Sequence, residues 1–246
     1  MTQLNYPNER DDLTAALRWA ARLGLSEGVC NHFSLEVGPD RYLINPQGLH
    51  WEEVCAGDVL LINGQGSVIE GRHTIEPSAF FIHSWIHRLN PHAKAILHTH
   101  MPYATALTLV PGGRLSWSHQ NALRFWGRVG YDDSYGGVAL DAAEGERIGL
   151  AMRGNEVMFM ASHGVTVTGS TMAWAFDDLY YLERACMHQC LATLAAAGKP
   201  LRQVRDADCK TIAAQIAGER GQSDLFFSAI KRLLDRTPSA HRFIED

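Results

Sequence analysis

The chain has 246 residues, of which 46% are hydrophobic and 20% charged, and its 22 basic and 27 acidic side chains give a formal net charge of −5. These values are typical of a globular protein and exclude a disordered or fibrous chain. The acidic balance, without any cluster of Lys and Arg, argues against nucleic acid as a partner. No apolar run approaches the roughly 18 residues of a membrane helix, and residues 1–7 lack a signal-peptide pattern, so we expect a cytoplasmic protein without a membrane partner.

The first half of the chain predicts two helices that enclose several short strands. Apolar residues at helical spacing predict a helix over residues 9–23, which Gly24 ends. Alternating segments at 32–45 and 58–70 predict strands joined by tight turns. The next helix is predicted over residues 77–89, because it opens with proline and carries large apolar side chains every four residues.

The rest of the chain predicts two more strands and a largely helical end. In order, we expect a strand at 93–100, a helix at 102–110, a strand at 156–164, a long helix at 171–197 and two helices between 206 and 234. Thr171 is typical of a helix N-cap and Gly198 of a helix end. Helices that alternate with strands in this way predict a single domain in which helices flank a sheet.

Cysteines do not indicate a disulfide framework or a zinc site. The five cysteines lie at positions 30, 55, 186, 190 and 209, an odd number without a Cys-x-x-Cys pair, so reduced thiols are expected. Cys186 and Cys190 share one face of the long predicted helix, whereas His188 points elsewhere. We therefore interpret these three as packing residues.

Histidines are the residues that suggest chemistry, because the chain has 12 of them. His98 and His100 end a predicted strand two residues apart, so their side chains share a face and can chelate one ion. His163, which ends the other apolar strand, is the natural third ligand, and three imidazoles with open positions are typical of a catalytic metal site. The alternative is that His98 and His100 are ordinary core or rim histidines. His83 and His87 form a second pair, one helical turn apart, but lack the glutamate of a metalloprotease motif.

Other common catalytic motifs are absent from the sequence. It contains no glycine-rich dinucleotide-binding motif, no phosphate-binding loop and no Gly-x-Ser-x-Gly nucleophile motif. Metal chemistry is therefore the main hypothesis.

Five motifs in the expected order carry a resemblance to a known family. They are GVCNHFSL at 28–35, INPQGL at 44–49, LHTHMPYATAL at 97–107, ASHGVTVTG at 161–169 and AWAFDDLYYLERAC at 173–186. The chain resembles the class II aldolase/adducin family, and more closely its bacterial adducin-like branch. The resemblance covers about residues 8–200, which leaves residues 201–246 as a C-terminal helical extension of a single domain over 1–246.

The resemblance implies an α/β fold, an αβα sandwich with a central, mainly antiparallel sheet. It also implies a ring-like homotetramer with active sites between neighbouring subunits. The family's divalent metal site carries over onto His98, His100 and His163. Zinc is the first expectation for the ion, with manganese or iron as alternatives, since imidazole accepts each of them.

Three sites in the sequence depart from the aldolase pattern. The glutamate that moves protons in family aldolases falls at Ala79, which is 19 residues before His98 and has no group that transfers a proton. In the phosphate pocket, a Gly-Asn step corresponds to residues 31–32 and a Ser-Ser pair to residues 77–78, although Gly48 remains. A sugar-phosphate substrate is therefore less expected.

Four residues are candidates for the lost proton carrier: His32, Glu76, His83 and His119. Glu76 lies three residues before Ala79, but a solvated glutamate at a helix start is the alternative interpretation. His119 falls near a position where family aldolases place a tyrosine, although it is equally interpretable as a loop histidine.

Three functions remain open at this point. The first is a metal-dependent lyase that cleaves or decarboxylates a small hydroxy- or keto-compound. The second is an Fe(II)-dependent oxygenase on the same scaffold. The third is a non-catalytic adducin-like assembly or binding module, in which the histidines are inherited and the glutamate has been lost.

Overall fold

The structure is a computed structural model that describes residues 4–236, so the last ten positions of the predicted C-terminal extension lie outside it. One eight-stranded sheet lies between two layers of helices. The helices are α1 Pro7–Arg22, α2 Pro77–Leu89, α3 Pro102–Thr108, α4 Gln120–Leu123, α5 Ala142–Met152, α6 Met172–Ala196, α7 Asp206–Ala217 and α8 Gly221–Asp235. The strands are β1 His32–Gly38, β2 Arg41–Ile44, β3 Leu60–Ile62, β4 Val68–Glu70, β5 Ala95–Thr99, β6 Val129–Asp132, β7 Val157–Met160 and β8 Gly164–Gly169. Within residues 4–236, every helix is too short or too polar to cross a bilayer.

The strands are arranged in the order β4-β3-β2-β1-β5-β8-β7-β6. Neighbouring strands run antiparallel except for β6 and β7, which are parallel. β5 is a central strand with β1 on one side and β8 on the other. The expected αβα sandwich with a mainly antiparallel sheet is therefore confirmed.

Alternation along β5 determines which side chains reach each helix layer. Ala95 and Leu97 belong to the main core with residues of α1, α3, α6 and α8. Ile96 belongs to the opposite core, which contains Ile82 and Ile86 of α2. His98 follows Ile96 by two residues, so it lies on the α2 side of the sheet.

Several predicted elements match the structure, and one prediction was wrong. α2 has the predicted bounds, and the Thr171 hydroxyl accepts a hydrogen bond from the Trp174 backbone N–H at the start of α6. The strand predicted to run to His163 ends at Met160 instead. There the chain turns through Ser162, whose φ is +56°, and the His163 N–H donates to the Met160 carbonyl at 3.1 Å. The sequence patterns also did not predict β6, β8, α4 or α5.

The C-terminal helices pack on the core through apolar and charged contacts. Phe227, Ile230 and Leu234 of α8 belong to the main core. Arg220, just before α8, donates to both carboxylate oxygens of the buried Asp178 at 3.0 and 2.6 Å. These contacts join residues beyond 200 to the long helix α6, while the division into a core and an extension stays a prediction.

Candidate metal centre

Three histidines converge at the C-terminal end of β5. His98 lies within the strand, His100 just after it, and His163 in the turn before β8, and one nitrogen of each lies within 4.8 Å of those of the other two. His98 is buried, whereas His100 and His163 are half-buried. Within the part of the chain that the structure describes, these three are the His, Cys, Asp or Glu side chains that lie close enough together to hold one metal ion.

Gly164 allows the β7–β8 turn to approach β5 this closely. A Cβ added at Gly164 would lie 2.6 Å from the Thr99 carbonyl oxygen and 2.7 Å from the His100 ring. Real Cβ atoms essentially never approach another atom this closely. The glycine after His163 therefore has a steric role, because a larger residue would push His163 away from His100.

Backbone and carboxylate partners orient two of the imidazoles. The Nδ1 of His98 donates to the Val165 carbonyl at 3.0 Å. In the neutral ring, the Nε2 of His98 therefore carries a free lone pair. The Nδ1 of His100 lies 2.5 Å from a carboxylate oxygen of Glu27. The Nε2 of His100 is buried and has no hydrogen-bond partner among residues 4–236. A buried nitrogen without a partner, beside two other imidazoles, is suited to be a metal ligand. In metal-binding histidines the other ring nitrogen typically donates to a carboxylate or a backbone carbonyl, as the Nδ1 atoms of His98 and His100 do here.

Sequence reasoning missed Glu27. It lies just before the motif that begins at Gly28, and its partner His100 is 73 residues away. Asn31, with φ of +75°, accepts hydrogen bonds through its side-chain oxygen from the Glu27 N–H at 3.2 Å and the His100 N–H at 3.3 Å. No local sequence pattern predicts this contact, because it depends on how the loop before β1 folds over the end of β5.

Burial favours the neutral form of His98 and His163. Burial lowers the pKa of His98 well below its usual value, and the nearby imidazoles lower it further. The pKa of His163 falls to about 4, mainly because of burial and then because of repulsion from His100. Neutral imidazole is the form that ligates a cation, so these two side chains are suited to that role near neutral pH.

His32 and His83, two of the predicted proton carriers, lie beside the cluster. His32 pairs with His98 across β1 and β5, and their rings stack with centroids 4.7 Å apart. The Nδ1 of His32 lies 2.7 Å from the Nε2 of His83 on α2. Both imidazoles are buried, and burial lowers the pKa of His32 to about 3.

The other two candidates cap helices. The Glu76 carboxylate accepts from the Ala79 N–H at 2.8 Å and from the Ser78 hydroxyl at 2.5 Å at the start of α2. His119 caps α4, and its ring packs against His188 with centroids 4.5 Å apart. Their predicted catalytic roles stay predictions.

Ala79, at the family's glutamate position, is buried. It packs with Ile44, Leu60 and Ile62 in a small apolar cluster. No proton carrier therefore stands at this position of the chain.

A large cavity lies away from the three histidines. It encloses about 860 Å³ near the opposite end of β5 and the start of α6. Its lining includes four arginines, Arg124, Arg128, Arg153 and Arg220. Arg124, Arg128 and Arg220 form ion pairs with Asp177, Asp178 or Glu156.

Comparisons with known proteins agree with the fold and the motifs. The family model described as Class II Aldolase and Adducin N-terminal domain matches residues 11–190. The crystal structure of an aldolase II superfamily protein from Pseudomonas syringae is 28% identical, has a TM-score of 0.88, and the match covers 97% of each chain. Decarboxylase NovR from Streptomyces niveus is 30% identical over 192 residues, 75% of this chain and 69% of that protein. Alpha-adducin from Rattus norvegicus is 33% identical over 199 residues, 78% of this chain and 26% of that protein. With the family model matched over most of its length, the chain belongs to the class II aldolase and adducin family.

Proposed function

We propose that the protein is a metal-dependent lyase of the class II aldolase type, acting on a small hydroxy- or keto-compound by carbon–carbon cleavage or decarboxylation. The observation that carries the proposal is the convergence of His98, His100 and His163, with the Nε2 of His100 buried and without a partner. Similarity to a decarboxylase supports the lyase class. Zinc is the ion we propose first, with manganese or iron as alternatives.

We assign metal binding, ligand orientation and proton exchange to different residues of the chain. His98, His100 and His163 hold the ion, which when bound supplies a Lewis acid that polarises substrate oxygens. Glu27 orients His100 by accepting its Nδ1 proton. We assign proton exchange with the substrate to His32, because it stacks on His98 and because Ala79 replaces the family's glutamate. His83 supports His32 through their hydrogen bond, whereas Glu76 and His119 occupy helix caps.

We also propose that the protein works as a homotetramer in the cytoplasm, with a neighbouring subunit closing the site. His100 and His163 are only half-buried in the single chain, so one side of the metal centre is open. A small substrate enters from this side.

Metal content tests the proposal directly. Protein purified without added metal or affinity tag is expected to hold about one ion per chain, the stoichiometry of a single three-histidine site. The His98→Ala/His100→Ala double variant should lose the ion. His92→Ala, an exposed histidine outside the site, is the matched control and should keep it. Circular dichroism confirms that each variant is folded.

The proposal is overturned if the chain binds no ion even after incubation with zinc, manganese or anaerobic iron. That result would favour the second candidate, an adducin-like assembly module. This candidate is supported by the similarity to alpha-adducin and by the alanine at position 79. Oxygen-dependent turnover restored by Fe(II) but not by zinc would instead identify an oxygenase.

A further inference from the structure

A continuous chain of hydrogen bonds leads away from the metal centre into the space between β1 and α2. It starts with the Nδ1 of His32, which lies 2.7 Å from the Nε2 of His83. The Nδ1 of His83 lies 2.5 Å from the Ser34 hydroxyl, and that hydroxyl lies 2.8 Å from the Nε2 of His87. The Nδ1 of His87 then lies 2.7 Å from the backbone carbonyl of Ala93. All four side chains are buried.

The carbonyl at the far end determines the direction of every bond in this chain. A carbonyl only accepts, so the Nδ1 of His87 carries the proton and its Nε2 is a lone pair. The Ser34 hydroxyl must then donate to the Nε2 of His87 and accept from the Nδ1 of His83. It follows that His83 presents a bare Nε2, which accepts from the Nδ1–H of His32. The direction requires His83 and His87 to be neutral.

Burial keeps them neutral. It lowers the pKa of His87 to about 3 and that of His83 well below its usual value. The reverse direction needs a protonated His87, and the adjacent ammonium of Lys94 disfavours that charge as well. The Tyr42 ring also packs on His87, with centroids 4.8 Å apart, and no carboxylate is bonded to the imidazole among residues 4–236.

The consequence reaches His32. Because its Nδ1 donates to His83, the neutral His32 ring carries its lone pair on Nε2, on the side away from His83. Among residues 4–236 this nitrogen has no hydrogen-bond partner. The same ring stacks on His98, so the lone pair lies beside the proposed metal ligands.

We infer that Ser34 and His87, acting through His83, are positioning residues that hold His32 as a hydrogen-bond acceptor next to the metal centre. His32 is thereby suited to a substrate that presents a hydroxyl group to it, rather than one that presents an oxo group or a carboxylate. This inference rests on the proposed function, since it assigns a role to His32 in the same site.

Ser34 is the residue that tests the inference most sharply. A hydroxyl both donates and accepts, and Ser34→Ala removes both capacities, so His83 loses the acceptor that keeps its proton on Nδ1. Its tautomer is then free to change, and that of His32 with it. Ser34→Thr keeps the hydroxyl and serves as the matched control.

Nitrogen-15 NMR of the full-length, metal-free protein labelled at histidine reads the tautomers directly. In the wild type we expect His32, His83 and His87 each to carry the proton on Nδ1 and a bare Nε2, with signals assigned from single His→Gln variants. In Ser34→Ala we expect a shift of His32 and His83 toward the tautomer protonated on Nε2, and in Ser34→Thr a return to the wild-type pattern. The circular dichroism spectrum and melting temperature of each variant confirm that it is folded.

Two outcomes overturn the inference: a proton on Nε2 of His32 in the wild type, or an unchanged His32 tautomer in folded Ser34→Ala. If Ser34→Ala does not fold, the wild-type tautomers and those of His87→Gln decide instead, because His87→Gln removes the link to Ala93. Metal content separates this inference from the proposed function. Ser34 contacts no proposed ligand, so Ser34→Ala should bind about one ion per chain even if the tautomers prove different.

Discussion

The orientation of two of the three proposed ligands depends on the group that contacts the second ring nitrogen. Val165 orients His98 through a backbone carbonyl, whereas Glu27 orients His100 through a carboxylate. A carboxylate partner raises the basicity of the imidazole and fixes its ring angle. Glu27 is itself exposed, with 65% of its side chain accessible, so its effect on folding is small and its effect on the ion is the measurable one.

Glu27→Gln is expected to weaken metal binding about 10- to 100-fold while leaving the fold intact, the usual effect of losing an outer-shell carboxylate. Competition with a chelator of known affinity measures the change. Glu52→Gln, an exposed glutamate away from the site, is the control and should bind metal as the wild type does. Equal affinity in both variants would remove Glu27 from the centre.

Local spacing was sufficient to predict the proximity of the proposed ligands but not their surroundings. His98 and His100 were found because strand residues two apart share a face, and His83 and His87 were found as a pair one helical turn apart. The partner that joins this second pair, Ser34, is about 50 residues away in sequence and is one of many serines. Contacts of this kind arise only when α2 packs on β1, so the sequence alone does not reveal them.

At the scale of elements, α6 determines the start of α3. The carboxylate of Glu183 on α6 accepts hydrogen bonds from the Tyr103 N–H at 2.8 Å and the Ala104 N–H at 2.9 Å. These are the first turn of α3, which lacks a capping side chain of its own. Because α3 begins two residues after His100, the same contact helps to fix the end of the strand that carries the ligands.

Glu183→Ala is expected to lower the free energy of unfolding by about 2 kcal/mol, because it leaves these backbone N–H groups without an acceptor. Urea denaturation measures the loss. Glu183→Gln, which keeps one acceptor oxygen, should lose less, and Glu146→Ala on the exposed face of α5 should lose almost nothing. Similar losses in Glu183→Ala and Glu146→Ala would contradict the capping role.

The element predictions succeeded where one segment carries its own signals. Pro77 and the Asn90–Pro91 step delimit α2, and Thr171 marks the start of α6. β6 was missed because it is only four residues long and partly apolar. It is stabilised by pairing with β7, which its own sequence does not reveal. The strand end at Met160 was missed because the left-handed turn at Ser162 depends on the approach of β8 to β5.

At the scale of the whole molecule, the interior on the α2 side of the sheet is rich in neutral histidine. His32, His83, His87 and His98 are all buried there. Each has a pKa in the folded state below that of an unfolded chain. Between about pH 6.5 and the folded values, the unfolded state therefore binds more protons than the folded state.

The metal-free protein is expected to lose stability as the pH falls below about 6.5, at up to about 1.4 kcal/mol per pH unit for each histidine that titrates fully on unfolding. Urea denaturation at several pH values from 7.5 to 5 measures the slope. His87→Gln should make the slope shallower, because the pKa of His87 is lowered to about 3 in the folded protein. A free energy of unfolding that does not change over this range would contradict the prediction.

The charged contact between Arg220 and α6 bears on where this protein can be cut. The family model ends at residue 190, but Asp178 inside the matched region is neutralised partly by Arg220, which lies beyond it. Phe227 and Ile230 also cover apolar surface of the matched part. A fragment trimmed to the boundaries of family similarity would expose that surface and leave a buried carboxylate with one cation fewer. The segment that the family model matches is therefore shorter than the segment whose contacts stabilise it, and a chain prepared for study should extend through α8.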